Sequence, residues 1–217
     1  MLELGLKTLL AYLLGSVMGA LLIGRLRGVD IREQGSGNAG GTNALRTQGF
    51  AFALGVVVVD VGKGVLAAAV LPALVLPGAP PDPALSREWL AVACALMVVV
   101  GHVWPVWHEF RGGKGAATLI GALLALAPAL LLPVLGTWLV VVVLTGYVGL
   151  GTMLATLAAP VALLLAAPPA PWPLLSFLCV MAAFVAWTHR SNIARMRAGN
   201  ENRARRLWLF APRQPRS

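Results

Sequence analysis

Between two long apolar stretches the chain carries Gly35-Ser36-Gly37-Asn38-Ala39-Gly40-Gly41-Thr42-Asn43-Ala44-Leu45-Arg46. Glycine lets the backbone turn through positive φ, so successive amides such as those near Gly37 and Gly40 can converge on one anion. Ser36, Asn38, Thr42 and Asn43 add neutral hydrogen-bonding groups. Arg46 adds a forked, permanently charged donor that matches phosphate. A plain connector would mix Ser, Lys, Glu and Gly more evenly. The ending Gly-Lys-Ser/Thr is absent, so this is not a Walker A loop. The chemistry expected is phosphate held at a membrane surface.

Three further groups extend that expectation. Gly101-His102-Val103-Trp104-Pro105 leads to Phe110-Arg111-Gly112-Gly113-Lys114-Gly115. There Gly112 and Gly113 let backbone approach a ligand, and Lys114 supplies a point charge. Alone, His102 would read as a packing histidine; beside this loop it reads as a site residue. His108 has no such company and reads as an interfacial side chain beside Trp104 and Trp107. His189-Arg190-Ser191-Asn192-Ile193-Ala194-Arg195 continues to Glu201. A basic stop-transfer cluster explains Arg190 and the other arginines, but not His189 or Asn192. Glu201 is expected to brace the basic groups. Asp60 and Lys63 sit three apart inside an apolar run and share a helix face. They are expected either to pair as a structural link or, through Lys63, to reach the phosphate region.

These groups need elements to hold them. The chain has 217 residues, of which 59% are hydrophobic and 12% charged. A soluble domain carries about 25% charged residues. Residues 115–188 contain no Asp, Glu, Lys or Arg. A transmembrane helix needs roughly 20 apolar residues, so this run holds several spans. Its unalternating Leu, Val and Ala exclude a β-barrel. An all-α integral membrane protein follows. Seven transmembrane helices are expected near 4–23, 50–76, 89–107, 116–132, 134–148, 152–168 and 172–189. Basic residues cluster at 25–46, at 111–114 and after 189, whereas the 77–88 loop has one Arg against Asp82 and Glu88. By the positive-inside rule the N-terminus is outside and the C-terminus cytoplasmic. A single domain over 1–217 is expected, with 202–217 a flexible cytoplasmic tail. Cys94 and Cys179 read as small buried hydrophobes, without metal-ligand spacing.

The three glycine-rich or His-led motifs, in this order, resemble those of the bacterial acyl-phosphate:glycerol-3-phosphate acyltransferases. Asp60 to Gly64 also looks like that family's Asp-x-x-Lys-Gly, and the likeness covers residues 4–201. The resemblance implies seven membrane helices in the bacterial inner membrane, with the active site on the cytoplasmic face. It implies acyl transfer from acyl phosphate to the 1-hydroxyl of glycerol 3-phosphate, giving lysophosphatidic acid and phosphate. It also implies that Ser36 and Arg46 contact phosphate, that Gly112, Gly113 and Lys114 bind glycerol 3-phosphate, and that His189 and Asn192 line the site. The chain departs from the family pattern at Gly41, Arg111 and Gly149, where Ala, Lys and Ser are usual.

Acyl phosphate is already activated, so no covalent intermediate, metal or cofactor is expected, and membrane lipids are the only other partner. No Ser-His-acid set is evident, and Trp107 stands where a His-x-x-x-x-Asp pair would need its acid. Direct attack is expected, with the proton passing to the leaving phosphate, His102 or His189. A lipid-phosphate transferase would show aspartate clusters. A transporter would place polar groups near the midplane of repeated halves. Nothing points to nucleic acid.

Overall fold

The structure is a computed structural model describing residues 1–211; the end of the expected tail, 212–217, lies outside the described residues. Among the described residues all regular structure is helical, apart from one isolated bridge between Leu76 and Ala79. These residues form two compact units: Met1–Pro128 with Pro171–Phe177, and Ala129–Ala170 with the chain from Leu178 onward.

In the first unit, α1 (Leu2–Gly15) and α2 (Gly19–Arg27) form one apolar span broken at Ser16, Val17 and Met18. The sequence reading has an unbroken helix here. Helix α2 ends at Gly28, whose φ of 67° closes it in the left-handed region. The glycine-rich loop and α3 (Gly41–Gln48) follow. Then α4 (Phe50–Val65), a π-helical turn (Leu66–Val70) and α5 (Leu71–Ala73) make the second span. Helix α6 (Arg87–Val103) starts at Ser86, whose hydroxyl accepts from Trp89 N. Helix α7 (Ala116–Leu126) completes the unit's membrane helices up to Pro128.

Glycines set its packing. A Cβ at Gly15 would collide with the Val98 carbonyl, and one at Gly101 with the Tyr12 carbonyl, so α1 and α6 touch backbone to backbone. Gly64 against Thr118 O and Gly121 against Val61 O do the same for α4 and α7. Lipid supplies no hydrophobic drive between helices, so such close approach is a main source of cohesion. At one end of α1, Glu3 and Lys7 are buried and paired at 2.7 Å. Arg87 grips Glu3 at 2.6 and 2.8 Å, and Lys7 also donates to Pro72 O at 2.8 Å. Sequence reasoning missed this network, whose partners lie up to 84 residues apart.

In the second unit, α8 (Leu131–Thr145) and α9 (Val148–Ala166) pack as a hairpin closed by Gly146, φ 75°. Helix α10 (Trp172–Thr188), whose residues from Leu178 onward belong to this unit, runs into α11 (Arg190–Arg197) with a 51° bend. The segment expected to be a free tail is held over part of its length. Ala204 N donates to Gly146 O at 2.7 Å and Leu209 N to Val143 O at 2.9 Å. The Arg203 guanidinium lies 4.5 Å from the Tyr147 ring centre and 4.2 Å from that of Trp208, a cation–π arrangement.

Helices stand at all seven expected places. Five helical stretches are long and apolar enough to cross a membrane, or six if α10 and α11 count as one bent span. Helix α7 has 11 residues, about 16 Å at 1.5 Å per residue, against a bilayer core of about 30 Å. It stops because Ala127 precedes Pro128. The proline ring disfavours the α region for the residue before it, and Ala127 is at φ −156°, ψ 71°.

Candidate functional site

The first unit holds both the Ser36–Arg46 loop and the Arg111–Lys114 turn. Gly35 and Gly37 have φ of 58° and 71°, a double turn that side-chain-bearing residues resist. A Cβ at Gly40 would stand 2.7 Å from Asn38 Nδ2. Gly40 is also the N-cap of α3. The first intrahelical bond runs from Ala44 N to Gly40 O at 3.0 Å, so the amides of Gly41, Thr42 and Asn43 lie ahead of it. Amides so placed, at the positive end of a helix, have the geometry that suits an anion. Thr42 and Arg46 are exposed and, four apart, share a face of α3. Ser36 is exposed as well.

Asn43 differs from expectation. It is 1% exposed, and its carboxamide is consumed by the loop. Its Oδ1 accepts from Ser36 N at 2.9 Å, and its Nδ2 donates to Ile31 O at 3.0 Å and Gln34 O at 2.9 Å. It templates the loop from within rather than offering a hydrogen bond to a ligand. The segment before the loop is fixed by Asp30, which holds Arg32 through 2.7 and 3.0 Å contacts. The guanidinium keeps the Asp30 carboxyl below the usual carboxylate range. Arg32 also donates to His108 O at 3.3 Å, joining this segment to the turn after α6. A cavity of about 240 Å³ opens here, lined by Leu21, Arg25, Val29, Asp30, Arg32 and His108.

The Gly112-Gly113 turn folds back on the end of α6: Gly112 N donates to Val103 O at 3.2 Å and Gly113 N to His102 O at 3.1 Å. A Cβ at Gly112 would collide with His102 O, and one at Gly113 with His102 Nε2. Glycine is therefore required at both positions by contact with His102. Lys114 follows, half-buried.

Beneath the turn lies a buried ionic cluster. Lys63 Nζ is 2.8 Å from Gly15 O, 2.8 Å from Val17 O, 2.9 Å from His102 Nδ1 and 3.1 Å from Asp60 Oδ1. Asp60 Oδ1 accepts from Gly19 N at 3.3 Å. The pair thus caps both halves of the broken first span. The cation sits at the C-terminal carbonyls of α1 and the anion at the N-terminal amide of α2, each favourable to the local helix dipole. At 3% exposure, with its acceptors already in place, Lys63 is an interior link and not a phosphate contact.

The second unit holds the third motif. His189 Nδ1 lies 2.8 Å from Val185 O; a carbonyl only accepts, so Nδ1 carries a proton. Asn192 Nδ2 donates to Glu201 Oε1 at 2.8 Å, and Arg195 Nε to Glu201 Oε2 at 2.6 Å. Glu201 thus spans both, and Arg195 is a participant that sequence reasoning left among generic basic residues. Arg190 stacks on Trp187, 4.2 Å from the ring centre. The Asn192 side chain lies over Gly149, where an added Cβ would be 2.8 Å from Nδ2. Among the described residues no three His, Cys, Asp or Glu side chains converge as metal ligands would.

The helices define an integral membrane protein, and the loops a phosphate-handling one. The chain belongs to the glycerol-3-phosphate acyltransferase family, whose model matches residues 6–199. It is 44% identical over 199 residues to glycerol-3-phosphate acyltransferase 2 of Moorella thermoacetica, covering 91% of this chain and 96% of the relative. It is 43% identical over 195 residues to the glycerol-3-phosphate acyltransferase of Thermus thermophilus, covering 90% and 92%. Among solved structures it is similar to PlsY, an integral membrane glycerol 3-phosphate acyltransferase, in its glycerol 3-phosphate form. There the TM-score is 0.80, with 32% identity, over 92% of this chain and 94% of that one. The lysophosphatidic acid form gives 0.78.

Proposed function

We propose that this protein transfers an acyl group from acyl phosphate to the 1-hydroxyl of glycerol 3-phosphate. The products are lysophosphatidic acid and inorganic phosphate, in phospholipid synthesis at the bacterial inner membrane. The observation that carries the reading is the pair of glycine-built turns, the Ser36–Arg46 loop and Gly112-Gly113-Lys114, in a chain of this family. The hydroxyl oxygen bonds to the acyl carbonyl carbon. The bond from that carbon to the phosphate oxygen breaks with its electron pair, and the departing phosphate takes the hydroxyl proton. No acyl-enzyme is formed. Most of the acceleration comes from holding two phosphates in register and neutralising their charge.

In this reading the amides opening α3, Ser36, Thr42 and Arg46 hold phosphate. Gly37, Asn38 and Gly40 shape that loop, and Asn43 fixes it from within. Gly112, Gly113 and Lys114 hold the phosphate of glycerol 3-phosphate. His189 and Asn192 of the second unit are the remaining polar residues assigned to the reaction, with Glu201 and Arg190 as supports. Seven apolar segments lie in the bilayer, α7 as a short one, with the N-terminus outside and the C-terminus in the cytoplasm. The clustering of Arg and Lys at 25–46, 111–114 and beyond 189 supports a cytoplasmic active face. The test is donor choice: purified protein with glycerol 3-phosphate should form lysophosphatidic acid from palmitoyl phosphate and none from palmitoyl-CoA. Turnover of the thioester alone would refute the donor.

A further inference from the structure

The buried cluster under the Gly112-Gly113-Lys114 turn carries more than a structural link. Lys63 Nζ stands 2.9 Å from His102 Nδ1. An ammonium has three protons and no lone pair. Here it faces Gly15 O, Val17 O and the Asp60 carboxylate as well, all of them acceptors. A proton on Nδ1 would set two donors against each other at that distance. Nδ1 is therefore the acceptor, and the ring's one proton is on Nε2. Asp60 Oδ1 is 3.5 Å from Nδ1, farther than Lys63 Nζ at 2.9 Å, so the lysine holds that edge of the ring. Asp60 acts instead on Lys63 and on the Gly19 amide.

The other ring edge faces the Gly112-Gly113 turn. Nε2 lies directly under Gly113, where any side chain would strike it. The same glycine donates its amide to His102 O at 3.1 Å, so the turn is bonded to the residue that carries the ring.

We infer that Lys63 and Asp60 are positioning residues that lock His102 as an Nε2–H donor aimed through the bare Gly113 at the phosphate group on that turn. This rests on the acyltransferase reading for the identity of the phosphate ester, glycerol 3-phosphate. It assigns His102 to binding and denies it the part of general base, because the nitrogen facing the turn has no lone pair to offer. It also explains why a lysine deep in a membrane helix is built against the break in the first span. The break frees the two carbonyls that, with Asp60, hold the ammonium aimed at Nδ1.

Two measurements test this. First, nitrogen-15 NMR of histidine-labelled protein in lipid nanodiscs reads the tautomer, with His102 assigned by its absence in His102→Gln. The wild type should show bare Nδ1 and protonated Nε2, and Lys63→Met should shift the proton toward Nδ1, now free to donate to Asp60. A protonated Nδ1 in the wild type, or an unchanged ring in Lys63→Met, would overturn the lock. Second, a donor lost from bound phosphate raises KM for glycerol 3-phosphate, whereas a lost general base lowers kcat by about 10²–10⁴-fold. His102→Ala should raise that KM about tenfold or more with kcat within a few-fold, as expected for a hydrogen bond to a charged group. His102→Gln, whose amide also donates, should recover most of the loss. A collapse of kcat in both variants at unchanged KM would overturn the donor role. The NMR arm does not depend on turnover, so failure of the lock and failure of the acyltransferase assignment are separable.

Discussion

The side-chain oxygen of Asn43 accepts the backbone N–H of Ser36 at 2.9 Å, while its amide nitrogen reaches the carbonyls of Ile31 and Gln34. One buried carboxamide therefore sets the curvature of the phosphate loop. Asn43→Ala removes all three bonds, and each buried polar group left unpaired costs about 1–3 kcal/mol. The expected result is a large loss of both thermal stability and turnover. Asn43→Asp should do no better, because a carboxylate cannot donate to two carbonyls. Stability in detergent and activity, measured together, check this. An Asn43→Ala protein of normal stability with only a raised KM would mean a direct ligand contact instead.

Arg46 should behave in the opposite way. It is exposed on the face of α3 that carries Thr42, so it can be changed without disturbing packing. Arg46→Ala should leave the melting temperature within about 2 °C, as surface substitutions stay near ±0.5 kcal/mol. It should weaken phosphate binding by about tenfold or more, the worth of a charge-assisted hydrogen bond. Arg46→Lys should recover only part, since the bidentate fork is lost. Steady-state KM values for both substrates provide the check.

The contrast between these two residues shows what the sequence disclosed. Motif composition marked Asn43 and Arg46 alike as polar loop residues. Only the fold separates the buried carboxamide, tied into the loop, from the exposed guanidinium. The helical membrane class was legible from the uncharged run at 115–188, since burial in lipid demands it. The break at Ser16–Met18 was not, because the partner that satisfies its carbonyls, Lys63, lies 48 residues away from Gly15. The short α7 was signalled by Pro128, whose effect on Ala127 is local. The Glu3–Lys7–Arg87 network and the docking of Arg203 on Tyr147 rest on long-range pairing that no local pattern encodes.

Glycine at 113 and at 149 is a matter of space. Gly113→Ala would press a methyl against the His102 ring, and overpacking of this kind costs about 1–3 kcal/mol. It should raise KM for glycerol 3-phosphate and lower stability together. Gly149→Ser would place its Cβ within 2.9 Å of Asn192 Cγ, displacing an amide already tied to Glu201. Turnover should fall, and Gly149→Ala should fall with it. Higher activity in Gly149→Ser would show that the added hydroxyl outweighs the displaced amide.

The Asp30–Arg32 pair makes a pH-dependent contribution. Asp30 has a folded value below that of the unfolded chain, about 3.9. A lowered carboxylate stabilises the fold above the unfolded value and loses that contribution as pH falls through the folded one. From pH 5 to 8 the pair should therefore give no pH dependence. Below about pH 4, by the same reference value, the wild type should lose stability that Asp30→Asn never had. Melting curves of both proteins from pH 3 to 7 test this, and parallel curves throughout would refute it.

The most direct test of the central claim is phosphate release by purified protein from palmitoyl phosphate, followed against glycerol 3-phosphate concentration without added metal or acyl-CoA. The account predicts release that saturates with glycerol 3-phosphate and matches lysophosphatidic acid mole for mole. Release that ignores glycerol 3-phosphate, or acyl label left on the protein when it is withheld, would contradict direct transfer between the two phosphates.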